Sequence, residues 1–264
     1  MGNWVKNCIF LDGSAVEAQE CVNCCTSVVQ DTTGVDKLYV DFEKVVPMPS
    51  ELNIFFRDDH KLVGHNNVRF AAFEFEVIKI IDSFSLKQMS QDEMINIVYR
   101  SLAEKTDRIP VSLVNEFVTY GKCGEKTDVT SPLEQYVREE YNIQKYGYQD
   151  WYRWSLDNWG TKWNANVEDC LVNQDMQYLE FSTAPFPPKP VIHKLSELFP
   201  QLEISCVYCE EDLCKGQCGE FSYIGGECVS GFAAAPEDTD YRMEVAQRLW
   251  GREIAETRSV DFER

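Results

Sequence analysis

Four cysteines in the last third of the sequence have a spacing that could bind a metal ion. The pattern is C-x2-C-x4-C-x3-C, formed by Cys206, Cys209, Cys214 and Cys218. Thiolates gathered in one tight loop would be suitable ligands for zinc. Side chains alternate between the two faces of a strand, however, so a strand here would separate Cys206 from Cys209. We expect structural thiols and no cofactor, with zinc as the alternative.

The other polar residues indicate no catalytic site. Glu210 and Glu211 are adjacent in sequence rather than facing each other, and His193 lies beside no nucleophile or carboxylate pattern. The sequence also contains no Gly-rich phosphate loop, no nucleophile elbow and no His-Glu-x-x-His motif. We therefore expect that the protein is not an enzyme.

Aromatic side chains are concentrated in residues 146–165, which read YGYQDWYRWSLDNWGTKWNA. The tryptophan spacing fits neither a helical stripe nor strict alternation, so we expect a strand that enters an irregular turn at Gly160. Two interpretations stay open: the tryptophans lock the turn over a sheet, or part of the aromatic surface is exposed for recognition. The candidate binding residues are Trp151, Trp154, Asn158, Trp159, Lys162 and Trp163.

The chain is strongly acidic, with 44 Asp and Glu residues against 25 Lys and Arg residues and a formal net charge of −19 at pH 7. This charge repels phosphate backbones and anionic lipids, so we expect no direct binding to nucleic acid or membranes. We expect a protein partner with a basic surface, or self-association into a homo-oligomer. An acidic segment at residues 203–227 adds the candidate binding residues Tyr208, Glu210, Glu211 and Asp212.

Hydrophobic periodicity and turn residues predict the elements that position these candidates. Near the start we expect a buried strand, an N-cap at Ser14, a helix from Ala15 to Val29 and a second strand. Farther along, the order strand, helix, strand, strand is predicted, and the last of these segments contains a turn at Gly225-Gly226. The predicted ranges are 7–11, 37–42, 177–184, 191–199, 201–211 and 216–231.

The middle of the chain has a different pattern. Helix-like spacing and capping signals at Ser90 and Ser131 predict a mostly helical insertion at residues 53–145. The remaining parts, 1–52 and 146–232, would form one core in two halves. Residues 233–264 are predicted to form a helical tail.

Specific segments resemble the YubB-type ferredoxin-like proteins of phages and plasmids. They are MGNWVKNCIFLDG, FEKVVPMPSEL, the aromatic segment quoted above and YCEEDLCKGQCGEFSYIGGE. The resemblance implies an α+β fold: a split ferredoxin-like sandwich with an antiparallel sheet and helices on one face. It supplies no catalytic residues, and the fold name implies no iron–sulfur cluster.

From these features we expect an acidic phage- or plasmid-borne binding protein that inhibits a host enzyme acting on nucleic acid or in immunity. The alternatives are a self-associating structural or regulatory protein and a zinc-binding sensor that uses the cysteines at 206–218. The sequence starts without a basic-then-apolar signal and has no run of ~18 apolar residues, so we expect a cytosolic protein.

Overall fold

The computed structural model describes residues 3–30, 34–54, 68–104, 132–173, 177–213 and 215–251. Short 3-10 helices occur at Phe42–Lys44, Ser50–Leu52 and Leu86–Gln88. In chain order, the other elements are β1 (Val5–Asp12), α1 (Ala15–Cys25), β2 (Thr26–Gln30), β3 (Asp36–Val40), α2 (Val68–Asp82), α3 (Gln91–Glu104), α4 (Pro132–Tyr146), α5 (Trp151–Asn158), β4 (Leu171–Asn173), β5 (Tyr178–Thr183), α6 (Lys189–Leu198), β6 (Glu203–Glu210), β7 (Cys218–Ile224), β8 (Glu227–Ala233) and α7 (Thr239–Trp250).

The chain divides into two compact units. The sheet unit contains residues 1–47 and 155–264, and the helical unit contains residues 48–154. Helix α5 carries the chain from the helical unit into the second part of the sheet unit.

The sheet unit contains a six-stranded sheet in the order β4-β5-β1-β6-β7-β8. Every neighbouring pair in it is antiparallel, whereas β2 and β3 form a separate antiparallel hairpin. The first strand pairs with β5 from Val5 opposite Thr183, and with β6 from Val5 opposite Glu210. Both ends of the chain therefore share one antiparallel sheet, as the sequence predicts.

Helix α1 begins where the sequence predicts and ends earlier. The Ser14 side chain accepts a hydrogen bond from the Glu17 backbone N–H (3.3 Å) and donates one to the Glu17 carboxylate (2.7 Å), which caps the helix. The predicted end at Val29 is wrong, because β2 begins directly at Thr26. Val28 is 61% exposed, so it does not continue the buried side of the helix. The run of β-branched residues explains the change to a strand.

Helices cover both faces of the sheet, whereas the sequence predicted helices on one face. On one face, the Lys189 ammonium of α6 lies 5.9 Å from the Tyr208 ring centre and 5.1 Å from that of Phe221. On the other face, α7 shares an apolar cluster with Val207 and Cys209. Strand β6 is consequently buried on both sides from Cys206 to Glu210.

Two further details of the sheet unit are the turn between β7 and β8 and the buried side of α6. The β7–β8 hairpin turns at Gly225 and Gly226, whose φ angles of 55° and 84° favour glycine. This turn is confirmed. In α6, Val191 and Leu195 are buried, whereas Leu198, the last residue of the helix, is 48% exposed.

The helical unit is held by an apolar cluster that α2, α3 and α4 share. Val77, Met94 and Tyr141 are among its fully buried members. The predicted cap of α3 is confirmed, because the Ser90 backbone N–H and hydroxyl both donate to the Glu93 carboxylate. Ser131 lies outside the described residues. None of the helices in the described ranges is long and apolar enough to cross a membrane.

Candidate functional site

The aromatic segment begins as a helix, so the predicted strand is wrong. Helix α5 runs from Trp151 to Asn158, and the Asp150 carboxylate accepts the Tyr152 backbone N–H at 2.8 Å as an N-cap. Trp151 and Trp154 are three residues apart, which suits one helical turn. The Asp150 cap and the spacing of Trp151 and Trp154 are therefore consistent with a helix. Trp159 and Trp163 lie after its end.

The turn after α5 is fixed by hydrogen bonds at several positions. Gly160 has a φ of 79°, which places it in the left-handed region. The Thr161 hydroxyl and the Lys162 backbone N–H both donate to the Ala184 carbonyl, at 2.8 and 2.9 Å. The Ser155 hydroxyl donates to the Lys162 carbonyl at 3.0 Å. These contacts attach the turn to the end of β5 and hold the following residues in place.

Trp159 is a structural residue of the sheet unit. It is 5% exposed, and its indole N–H donates to the Val46 carbonyl at 2.9 Å. Its ring also meets the Phe42 ring edge to face, with 6.0 Å between the ring centres. Of the other candidates, Trp154 is 6% exposed, and Trp151 meets Tyr152 edge to face. The packing interpretation therefore applies to Trp159.

Trp163, in contrast, is 42% exposed. The Lys162 ammonium lies 4.3 Å from the centre of the Trp163 ring, within the range of a cation–π contact. The Trp4 ring is also close to Trp163, with 6.3 Å between the two ring centres. Sequence reasoning did not select Trp4 as a site residue. No other tryptophan lies near Trp4 in the sequence, so local composition did not mark it as a site residue. Its ring partner, Trp163, is far away along the chain.

Trp4 also connects the aromatic segment to the acidic one. Its backbone N–H donates to the Glu211 carboxylate at 3.1 Å, and the Glu211 backbone N–H donates to the Trp4 carbonyl at 2.8 Å. The structure thus brings together residues from three distant parts of the sequence. We call this set, Trp4, Lys162, Trp163 and Glu211, the Trp4 surface.

Glu210, the residue before Glu211, is buried and makes hydrogen bonds next to the Trp4 surface. It is 5% exposed, and its carboxylate accepts the Asn3 side-chain amide at 2.6 Å and the Gln217 backbone N–H at 3.0 Å. Because Glu210 is buried and bonded, it positions the hairpin between β6 and β7. Asp212 is exposed and accepts the Lys215 backbone N–H at 3.2 Å. Tyr208 is buried on the α6 face, away from solvent.

The structure does not gather the described cysteines of the metal motif at one point. Cys206 is on the face of β6 that α6 covers, whereas Cys209 and Cys218 are in the cluster under α7. Burial raises the pKa of the Cys206 thiol well above its usual value. Cys214 lies outside the described residues. Within the described ranges, no group of three or more His, Cys, Asp or Glu residues could hold a metal ion.

The helical unit has a surface recess of about 420 Å³. Glu93 and Arg100 are its charged residues, and the arrangement indicates no particular reaction. The lining residues are Ser85, Met89, Glu93, Asn96, Ile97 and Arg100.

The fold is of the ferredoxin-like α+β class, and a comparison with known families supports this. Residues 158–252 match the family model described as "Ferredoxin-like domain in Api92-like protein", a domain whose function is unknown. The matched range contains β4, β5, α6, β6, β7, β8 and α7. The predicted fold class is therefore confirmed.

The chain is also similar to a solved structure, the protein Api92 from Yersinia pseudotuberculosis. The two sequences are 14% identical, and the similarity covers 89% of this chain and 99% of that chain with a TM-score of 0.37. A TM-score of this size does not by itself indicate a shared fold. The chain matches no curated protein.

Proposed function

We propose that the protein is a binding protein whose Trp4 surface contacts a partner protein. The observation that supports this proposal is the exposure of Trp163 on a fixed turn, beside Trp4 and Glu211. Tryptophans in rigid positions are typical anchors of protein interfaces, where one such residue supplies about 2 kcal/mol or more of binding free energy. Because the turn is held by Ala184, little ordering entropy is lost on binding.

We propose further that the partner has a basic surface. The net charge of −19 would attract such a partner at long range and would repel nucleic acid. A host enzyme that acts on nucleic acid would have a surface of this kind. The resemblance to YubB-type proteins of phages and plasmids supports the specific proposal of an inhibitor that acts on host defence.

Affinity capture from host lysate at low salt tests this function, with Trp163→Ala as the main variant. We expect the wild-type protein to retain a basic partner that the variant binds at least about tenfold more weakly, since one anchor is worth about 2 kcal/mol. The interaction should also weaken as salt rises, because screening reduces the attraction between exposed charges.

Phe75→Ala is the matched control. Phe75 is an aromatic residue that is 57% exposed, and the Lys79 ammonium lies 4.2 Å from its ring centre, so it has a similar local chemistry on the helical unit. This variant should bind the partner like the wild type. If Trp163→Ala retains the same partners at the same salt concentrations, the Trp4 surface is not the binding site.

A second candidate function is self-association, and strand β8 supports it. All seven residues of β8 are exposed, and no described strand pairs with its outer edge. Val229 and Phe232 are 51% and 43% exposed, and exposed apolar edge strands favour pairing with another chain. Analytical ultracentrifugation over a range of concentrations tests this idea. We expect a dimer that Val229→Lys disrupts, and a monomer at all concentrations would exclude it.

A further inference from the structure

Cys209 and Cys218 face each other across the β6–β7 ladder. The next pair, Glu210 with Gln217, is joined by a backbone hydrogen bond of 2.7 Å. Hydrogen-bonded and non-hydrogen-bonded pairs alternate in antiparallel sheets, so the two cysteines form a non-hydrogen-bonded pair. The Cα atoms of such pairs are about 4.5 Å apart, which is within the range of about 4.4–6.8 Å that a disulfide spans.

The two thiols share a closed apolar environment. Cys209 is fully buried and Cys218 is 2% exposed, and both belong to the cluster formed with Val245 and Leu249 of α7. Cys206 is only three residues from Cys209 but lies on the opposite face, so it cannot compete for the same partner. Cys8 belongs to the same cluster, but it lies opposite Val207 in the β1–β6 ladder, so Cys209 and Cys218 are the two cysteines of the cluster that face each other directly.

A buried arginine lies beside this pair. Arg242 is 2% exposed and donates to the carbonyls of Leu213 (3.4 Å), Gly216 (2.6 Å) and Ala234 (3.2 Å). These bonds fix the guanidinium between α7 and the hairpin that connects the two cysteines. A buried cation favours a nearby negative charge, and a thiolate would provide it.

The electrostatics distinguish the two sulfur atoms. A hydrogen bond from the Cys209 thiol lowers the pKa of Cys218, and the charge of Arg242 lowers it further against the effect of burial. The same hydrogen bond, together with burial, raises the pKa of Cys209. Cys218 also retains a slight exposure of 2%, whereas Cys209 has none, so we take Cys218 as the nucleophilic member of the pair, because the thiolate is the reactive form.

We propose that Cys209 and Cys218 form a dithiol site that hydrogen peroxide oxidises to a disulfide. The Cys218 thiolate attacks one peroxide oxygen, the O–O bond breaks, and a sulfenic acid forms, while the departing hydroxide takes up the proton that Cys218 lost on ionisation and becomes the first water. The Cys209 sulfur then attacks the Cys218 sulfur, the S–O bond breaks, and the departing hydroxide takes the Cys209 proton to form water. Two thiols and one peroxide give one disulfide and two waters. This proposal is independent of the Trp4 surface.

The burial of the pair determines how the reaction proceeds. Hydrogen peroxide is small, so it needs less opening of the α7 contact than a larger oxidant such as a peptide disulfide. The reaction should be slower than oxidation of an exposed thiol, and Cys228 is an exposed cysteine in the same sheet. Once formed, the disulfide would be shielded from reductants by the same packing.

Peptide mapping by mass spectrometry tests the proposal. The wild-type protein is treated with hydrogen peroxide, its free thiols are blocked with iodoacetamide in denaturant, and the digest is analysed with and without reductant. We expect one linked peptide pair containing Cys209 and Cys218, which reductant separates. In Cys209→Ser, the Cys218 sulfenic acid should persist and react with dimedone.

Cys206→Ser and Cys228→Ser are the controls, and the same linkage should form in both. The wild-type map decides the question even where Cys209→Ser does not fold. The proposal is wrong if folded wild-type protein gains no linkage between Cys209 and Cys218 after other thiols have oxidised, or if Cys218 links to a different cysteine.

Discussion

Trp159 and Trp163 are four residues apart and yet have different roles. The first donates its indole N–H to Val46 inside the sheet unit, whereas the second presents nearly half of its surface to solvent. Between them, helix α5 has ended and Gly160 adopts a left-handed conformation with a φ of 79°. A count of tryptophans in a sequence therefore does not distinguish a packing residue from a binding residue.

The first prediction concerns these two tryptophans. Trp159→Ala should reduce the free energy of unfolding by about 3–5 kcal/mol, because it removes a buried ring and leaves the Val46 carbonyl without its donor. Trp163→Ala should change it by less than about 1 kcal/mol. Equilibrium denaturant unfolding measures both. Similar losses for the two variants would contradict the assignment of separate roles.

A second prediction concerns Asp150, which is buried at the start of α5. Burial raises the pKa of its carboxyl group, and the nearby Glu139 carboxylate adds to this effect. The folded state thus binds the proton more tightly than the unfolded state. The resulting stability is present below the unfolded value of about 3.9 and is lost as the pH rises through the folded pKa.

Asp150→Asn tests this expectation, because asparagine keeps an acceptor for the Tyr152 N–H and does not titrate. Relative to the wild type, the variant should gain stability as the pH rises from about 4 through the raised pKa. Denaturant unfolding at a series of pH values measures this. Parallel curves for the two proteins would show that Asp150 does not carry the effect.

The candidate site was only partly predictable at the residue scale. The sequence indicated Lys162, Trp163 and Glu211, since aromatic and acidic residues are unusually concentrated around them. It did not indicate Trp4, because that residue joins the surface through backbone bonds to Glu211, which is 207 positions away. Contacts over such distances depend on strand register, and register is not visible in local composition.

At the scale of elements, two separate constraints require a glycine at position 160, in the turn after α5. Gly160 has a positive φ, and a Cβ atom at its position would lie 2.6 Å from the Pro190 Cδ atom. Gly147 has a similar φ of 80°, but a Cβ atom there would have no heavy atom within 4 Å. A substitution at Gly147 would therefore cost only the free energy of the unfavourable backbone conformation. A substitution at Gly160 would add the cost of a steric clash.

A third prediction follows from this difference. Gly147→Ala should reduce the free energy of unfolding by about 1–2 kcal/mol, the usual cost of a left-handed conformation for a residue with a Cβ atom. Gly160→Ala should cost at least about 1 kcal/mol more, because the rigid Pro190 ring cannot move aside easily. Unfolding experiments on the two variants provide the comparison. Equal losses would mean that the contact with Pro190 relaxes.

The elements themselves were predicted more reliably than their ends. Alternating apolar residues located β5 and β6, and Ser14 and Ser90 located the starts of α1 and α3. The end of α1 and the helical nature of α5 were missed, since propensity and capping compete over only a few residues there. The coverage of both sheet faces was also missed, although the continuous burial of β6 is typical of a strand between two layers.

At the scale of the whole molecule, the sheet unit is assembled from two distant parts of the chain. The Trp159 indole N–H and the Val46 carbonyl are 2.9 Å apart, so the two parts meet close to the points where the helical unit is inserted. The sequence predicted that the two parts share a sheet, because the order of strands and helices in both parts together resembles a split ferredoxin-like sandwich.

The fourth prediction is that the sheet unit folds without the helical unit. A chain that joins residues 1–47 to residues 155–264 through a short Gly-Ser linker should retain slow hydrogen exchange in β1, β5 and β6. Residues 155–264 alone are the control and should not fold, because they lack the strand that lies between β5 and β6. An unfolded joined chain would show that the helical unit is required.

The central position of β1 also determines the order of events during biosynthesis. Its neighbours, β5 and β6, begin at Tyr178 and Glu203, so this strand leaves the ribosome long before either partner has been translated. At about 5–20 residues per second, the delay is on the order of 10 s. During that time an apolar strand has no partner, whereas the helical unit is contiguous and can form while translation continues.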